Sequence, residues 1–169
     1  MQSVSYDPIL RIDKTGRSIR YQVISMDERP DLVNFYQAFE PKGVYQGLPP
    51  VTDQIEKWLD DLFSHWINLG AFFQDQLIGH CALDSIGEGA VSEYLIFIAP
   101  EYQDQGIGTA LTQYAMDLAR CSRCQRVWLI VQNANLRAIK VYRKVGFNFT
   151  EPFAQEREMV LLIDGRENK

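Results

Sequence analysis

Apolar residues recur along this chain at two spacings, and the switches between them divide it into elements. Two β-type runs, 9–12 and 18–24, flank the turn signal Asp13-Lys14-Thr15-Gly16, which predicts a hairpin ahead of the main fold. Helical spacing follows over 30–39, at Leu32, Val33, Phe35, Tyr36 and Phe39, with Pro30 near the first turn. Residues 40–50, with Gly43, Gly47, Pro49 and Pro50, form a loop. Thr52 or Asp53 is suited to cap a long helix, whose Ile55, Trp58, Leu59, Leu62, Phe63 and Trp66 fall on one stripe. A stripe of that kind assigns Trp58 and Trp66 to the core.

Beyond residue 70 the pattern becomes mostly two-residue. Residues 71–74 and 77–83 are strands joined at Asp75-Gln76, a loop follows over 84–89, and 91–98 is apolar enough to be a central strand. Helix 109–120 turns Leu111, Tyr114, Ala115 and Leu118 toward a sheet, and 127–131 is another buried strand. Helix 135–144 is stopped by Gly146, and 147–150 with 156–163 makes an antiparallel pair. The predicted fold is α/β (α+β), an open mixed sheet of six to seven strands with helices on both faces. One domain spans 1–165, and 166–169 end a polar tail that starts near residue 164.

Composition narrows the function classes. A chain of 169 residues, 46% hydrophobic and 23% charged, buries a substantial core without disulfides or metals. The net charge of -5 argues against a nucleic-acid surface; it suits a cationic partner, although solubility alone also accounts for it. No apolar run approaches the ~20 residues that span a bilayer, and the N-terminus lacks a basic region followed by an apolar one, so the chain is read as cytoplasmic. Three cysteines, an odd count, suit a reducing compartment. Cys121 and Cys124 have Cys-x-x-Cys spacing, but with no second pair and with His65 and His80 in other elements, they are read as reduced thiols and no metal is expected.

Candidate chemistry gathers at Gln103-Asp104-Gln105-Gly106-Ile107-Gly108, between the central strand and the helix after it. Two glycines there let the backbone approach a ligand, and the helix's first turn offers unpaired N–H groups to an anion. The segment is no Walker loop, since Gly-Lys-Ser/Thr is missing, and no dinucleotide fingerprint, since Leu111 stands where a third glycine belongs.

In context, EYLIFIAPEYQDQGIGTAL resembles the acyl-CoA-binding segment of the GNAT superfamily of N-acetyltransferases, whose pattern Gln/Arg-x-x-Gly-x-Gly/Ala is met by Gln103, Gly106 and Gly108 after Ile98. A second segment, VWLIVQNANLRAIKVYRKVGF, carries Asn135, Ala138, Tyr142, Gly146 and Phe147 in the family's spacing. The likeness covers about residues 71 to 163.

The resemblance implies acetyl transfer from acetyl-CoA to a primary amine, of a small molecule or a protein lysine, with no metal, nucleic acid or membrane involved and with room for a homodimer. It also implies residue roles. Glu93 matches a general base of bacterial protein-lysine acetyltransferases, and Tyr142 matches a proton donor to the thioester sulfur. The backbone from Gln103 through Asp104, Gln105, Gly106, Ile107 and Gly108 to Thr109 would hold the pyrophosphate, and Phe97 and Ile98 would edge-pair with the pantetheine arm. Asn135 would hydrogen-bond the cofactor or the strands, and it is equally suited to cap its helix.

Read without the family, Glu93 is a solvent-facing strand carboxylate and Tyr142 a packed helix residue. Asp84 and Glu88 are alternative bases. Asp104 departs from the family's usual glycine or basic residue and brings a negative charge to the phosphates unless it points outward. Tyr45, in the loop over the acceptor side, suits a cation. Other readings are an enzyme specific for protein lysine and a non-catalytic CoA-binding or interaction module.

Overall fold

The structure is a computed structural model, and it describes residues 6–44, 48–152 and 154–163. Tyr45, Gly47 and the tail lie outside the described residues. The strands are β1 (Ile9–Ile12), β2 (Ser18–Val23), β3 (Ile67–Phe73), β4 (Gln76–Leu83), β5 (Val91–Ile98), β6 (Arg126–Gln132), β7 (Asn148–Phe149) and β8 (Glu156–Leu162). The helices are α1 (Arg29–Ala38), α2 (Ile55–His65), α3 (Ile107–Cys121) and α4 (Leu136–Val145).

The eight strands among the described residues form one sheet in the order β1-β2-β3-β4-β5-β6-β8-β7. The count exceeds the expected six to seven because the first hairpin does not stand ahead of the fold: β2 pairs antiparallel with β3 from Ile19 opposite Phe73 to Val23 opposite Leu69. β3 also starts at Ile67, earlier than the predicted strand at 71, since Asn68 and Gly70 interrupt the apolar run without breaking the ladder. Thr52 and Asp53 do not cap α2 directly. They lie in a 3-10 turn, Thr52–Gln54, that leads into it, and Gln54 takes the N-cap position without a side-chain bond.

The sheet separates two cores. On one face α1 and α2 bury Leu32, Tyr36, Ile55, Leu59 and Leu62 with Phe72 and Phe97. On the other, α3 and α4 bury Leu111, Ala115, Tyr142 and Val145 with Leu69, Cys81, Tyr94 and Val127. Strand alternation therefore sends Phe97 to the first face and Tyr94 to the second.

One joint in this sheet is incomplete. β5 and β6 are its parallel pair, and their pairing runs only from Val91 opposite Arg126 to Glu93 opposite Trp128. Past Glu93 the two strands separate. β5 stays bound to β4 along its other edge, from Tyr94 opposite Leu83 to Ile98 opposite Gly79, while β6 stays bound to β8. The C-terminal half of β5 thus offers a free edge inside the sheet, where unpaired N–H and C=O groups are costly without a partner.

Candidate active site

A cleft of about 270 Å³ opens along this free edge and passes through the sheet. Glu93, Leu95 and Phe97 line it from the face of α1 and α2, while Tyr94, Ile96 and Ile98 line it from the face of α3 and α4. It has one mouth on each face.

The mouth on the α3 and α4 face is built largely from backbone. Gly106 is the N-cap of α3 at φ 88°, left-handed backbone that favours glycine, and no side chain caps the helix. The N–H groups of Ile107, Gly108 and Thr109 have no intrahelical acceptor, as in any first turn. A Cβ at Gly108 would lie 3.5 Å from Ile98 Cγ1 and 3.9 Å from Val141 Cγ2, filling the gap between β5 and α4. The helix end is fixed from below: the Tyr94 hydroxyl donates to Thr112 Oγ1 at 3.0 Å, and Thr112 donates to the Gly108 carbonyl at 2.7 Å.

Cations surround this turn. Arg137, in the first turn of α4, pairs through Nε with Asp104 Oδ2 at 3.1 Å and donates through Nη1 to Gln103 Oε1. Lys14, from the β1–β2 turn, donates its Nζ to the Asp104 carbonyl at 3.2 Å and its main-chain N–H to the Gln105 carbonyl at 3.1 Å. The Asp104 carboxylate is exposed and turned to Arg137, so its charge is offset by a cation at the same loop. Asp13 ties together the turn that carries Lys14, accepting from Thr15 and Arg17. Burial alone would raise its carboxyl, but N–H donors of Arg17 and Thr15, the Thr15 hydroxyl and the Arg17 guanidinium outweigh burial and hold it at about 2. Sequence reasoning missed both Lys14 and Arg137; a cation four residues before Gly108 or after Gly106 would have stood out, whereas these come from distant segments.

The free edge of β5 can be assigned residue by residue. Asp84 N–H donates to the Glu93 carbonyl and Ala99 N–H to the Ile78 carbonyl, so odd-numbered residues turn their main-chain groups to β4. Ile96 and Ile98 therefore face the cleft with theirs, and the Ile98 carbonyl already accepts from Gln103 Nε2 at 2.9 Å. This narrows the expected pair. Phe97, opposite His80, spends its backbone on β4 and meets the cleft only with its ring. Asn135 caps α4, its Oδ1 accepting from Ala138 N–H at 3.2 Å, and it also lines the cleft.

Glu93 and Tyr142 both line the cleft, from opposite faces of the sheet. Glu93 is half-buried, and its carboxyl is raised by burial and then by the nearby Asp84 charge, which makes it a better proton acceptor than an ordinary glutamate. Tyr142 is buried, edge-on to Tyr94 with ring centroids 6.4 Å apart, and burial pushes its phenol well above the usual value. The other carboxylates considered do not line the cleft. Asp84 is committed to the Glu93 N–H at 2.8 Å and to the Ser92 hydroxyl at 3.2 Å, and Glu88 is exposed on the loop before β5.

The second mouth, on the α1 and α2 face, is built from side chains. Phe39, Leu48, Trp58, Asp61, Leu62 and Trp66 line it. Trp58 and Trp66 are half-buried and pack against the edge of the core, as their spacing predicts, while Leu59 and Leu62 lie fully inside it; both tryptophans also line the cleft, which the spacing does not reveal.

Residues 29–147 match the sequence pattern of the Acetyltransferase (GNAT) family. The chain belongs to this family. By sequence, the chain is similar to the uncharacterized protein YdhI of Bacillus subtilis, 32% identical over 62% of this chain and 75% of that one. It is also similar to spermidine N(1)-acetyltransferase of Escherichia coli, 40% identical over 34% of this chain; that match spans about a third, 31%, of the relative's length. Among solved structures, the GNAT domain of S. lividans PAT superposes with a TM-score of 0.78 at 20% identity, covering 94% of this chain and 99% of that one. The protein yncA of Salmonella typhimurium, solved with its cofactor acetyl-CoA, superposes with a TM-score of 0.69 at 15% identity, covering 89% and 96%. The chain is thus a GNAT acetyltransferase with the family's mixed open sheet. Among the described residues no helix is long and apolar enough to cross a membrane.

Proposed function

We propose that this GNAT protein transfers the acetyl group of acetyl-CoA directly to a primary amine inside the through-sheet cleft. The observation that carries the reading is the division of charge between the two mouths. Arg137 and Lys14, with the first turn of α3, flank one and outnumber the Asp104 carboxylate there; Glu93 and Asp61 line the other. A polyanionic cosubstrate is drawn to the first and an ammonium to the second, so both reactants meet at the free edge of β5. The residues present suit the CoA group: a Cβ-free turn, unpaired first-turn donors and two cations for its phosphates, and Ile96 and Ile98 main-chain groups for its amides.

Proton accounting gives the side chains their roles. An ammonium has no lone pair, so Glu93 takes its first proton and passes it to solvent. As the new N–C bond forms and the C–S bond breaks, the nitrogen gives up a second proton, and the sulfur gains one. Tyr142 supplies a hydrogen bond to the departing sulfur. A phenol raised this far is harder to ionise than a thiol, whose ordinary pKa is about 8.5, so Tyr142 stabilises the charge without surrendering its proton for good. The net change is one amide, one thiol and one proton released.

The test is thiol release from acetyl-CoA across a panel of amines, wild type against Glu93→Gln. Amine-dependent release that falls at least ~100-fold in the variant at neutral pH supports the reading. CoA binding without release for any amine would leave a binding module and overturn it.

A further inference from the structure

The acceptor mouth has a chemistry more specific than its net charge. Among the described residues that line it, the aromatic and branched aliphatic side chains Phe39, Leu48, Trp58, Trp66, Leu95 and Phe97 make the wall, and Asp61 and Glu93 are the ionisable groups. These two differ in depth. Glu93 is half-buried at the point where β5 and β6 part. Asp61 is exposed at the rim, and its Oδ1 lies 3.2 Å from His65 Nδ1.

The wall is held rigid from behind. Tyr36 is fully buried under it, edge-on to Trp58 with centroids 4.8 Å apart and to Phe97 at 5.7 Å, and Phe39 is edge-on to Phe97 at 5.5 Å. A buried polar chain fixes Tyr36 in turn. Asn68 Nδ2 donates to the carbonyls of Leu62 and Trp66, so its Oδ1 is the acceptor for His80 Nε2–H at 3.0 Å. His80 Nδ1 is then the unprotonated nitrogen, and it accepts from the Tyr36 hydroxyl at 2.5 Å. The chain runs from α1 through β4 and β3 to the end of α2, with every buried polar atom used. Burial keeps His80 neutral, lowering it to about 3. The Trp58 indole and the Trp66 main chain are therefore held before a ligand arrives, and an apolar ligand loses little to reorganisation.

We propose that the acceptor is a primary amine on a single apolar body the size of an aromatic ring or a branched aliphatic group, and that its ring lies on Trp58 while its ammonium points to Glu93. This rests on the acetyltransferase reading above and adds the substrate class. A polycation fits less well: past Glu93 the wall offers one further carboxylate, exposed and already beside a histidine. A small polar amine leaves the indoles wet and gains nothing from them. Burying a ring against them is worth ~10-fold or more in binding, with a cation–π share for an ammonium passing over the indole face.

The experiment compares kcat/KM in the thiol-release assay for phenethylamine, isoamylamine, ethanolamine and spermidine, using wild type, Trp58→Ala and Asp61→Asn. The expected result is that phenethylamine and isoamylamine exceed ethanolamine and spermidine by at least ~10-fold. Trp58→Ala should raise KM for phenethylamine by a factor several times larger than it raises KM for ethanolamine. Asp61→Asn, a substitution at an exposed carboxylate with little bearing on folding, should lower kcat/KM for spermidine at least as much as for phenethylamine, because the rim charge is the partner left for a second ammonium. A preference for spermidine or ethanolamine overturns this inference and leaves the acetyltransferase reading standing, as does a larger loss for phenethylamine than for spermidine in Asp61→Asn. Transfer to none of the four overturns this inference, and the acetyltransferase reading falls with it only if the full amine panel also releases no thiol.

Discussion

The two mouths of the cleft are made of different material. On the α3 and α4 face the ligand-facing groups are main-chain N–H groups at a helix end, a left-handed glycine and two cations that hold the loop. On the α1 and α2 face they are side chains from the end of α1, the following loop and α2. Backbone presents the same donors whatever the neighbouring residues, so the first mouth suits a ligand that stays constant. Side chains change without disturbing the sheet, so the second suits a ligand that differs from one GNAT protein to another.

The sharpest break of this comparison lies between the mouths, at Glu93. Glu93→Gln keeps the side chain's shape and should cost ~10²- to 10⁴-fold in turnover at neutral pH, with partial recovery at high pH, where the amine arrives deprotonated. A pH profile with any accepted amine checks this. Tyr142→Phe should cost less, ~10- to 100-fold, at every pH, because one hydrogen bond to a charged sulfur is lost and no titrating group is removed. Wild-type rates in both variants would move the chemistry to water.

Next come changes confined to the first mouth. Arg137→Ala should weaken CoA binding roughly 10-fold by calorimetry and leave the KM for the amine unchanged. Equal shifts for both ligands would mean that the mouths are not separate. Gly106→Ala strains left-handed backbone and should lower unfolding free energy by about 1–2 kcal/mol in urea titrations. Unchanged stability would show that the turn relaxes freely.

How much of this was legible in the sequence follows from the same contrast. The first mouth is one contiguous segment, Gln103 to Thr109, whose glycine spacing carries its geometry, and its place between a strand and a helix could be read directly. The second mouth was not, because Trp58 and Trp66 recur at helical spacing, and spacing alone does not separate a residue facing the core from one facing a cleft beside it. Leu59 and Leu62 on the same stripe do face inward. Lys14 and Arg137 escaped for another reason: the hairpin and α4 reach the glycine turn only through tertiary contacts. The extra strands were present as β-type runs, but that β2 pairs with β3 depends on a register that local pattern does not specify.

A further effect on stability, read through pH, concerns the wall behind the second mouth. His80 is held neutral at about 3, below its unfolded value near 6.5, so between these values the unfolded chain binds a proton that the folded one does not. Stability should therefore fall as pH drops below about 6.5, by at most ~1.4 kcal/mol per unit. Asp13, lowered to about 2, adds a loss only in a separate window below about 4. Urea unfolding of wild type and His80→Gln at pH 7 and 5 reads the difference, and equal pH slopes would contradict the neutral histidine.

The central claim, that one cleft through the sheet takes an anionic thioester from one face and a cationic amine from the other, is tested most directly by a crystal structure with CoA bound. The account predicts the pyrophosphate at the first turn of α3 beside Arg137, the pantetheine arm along Ile96 and Ile98, and the sulfur near Tyr142 with Glu93 open on the opposite face. CoA lying outside the gap between β5 and β6, or entering over Trp58 and Asp61, would contradict it.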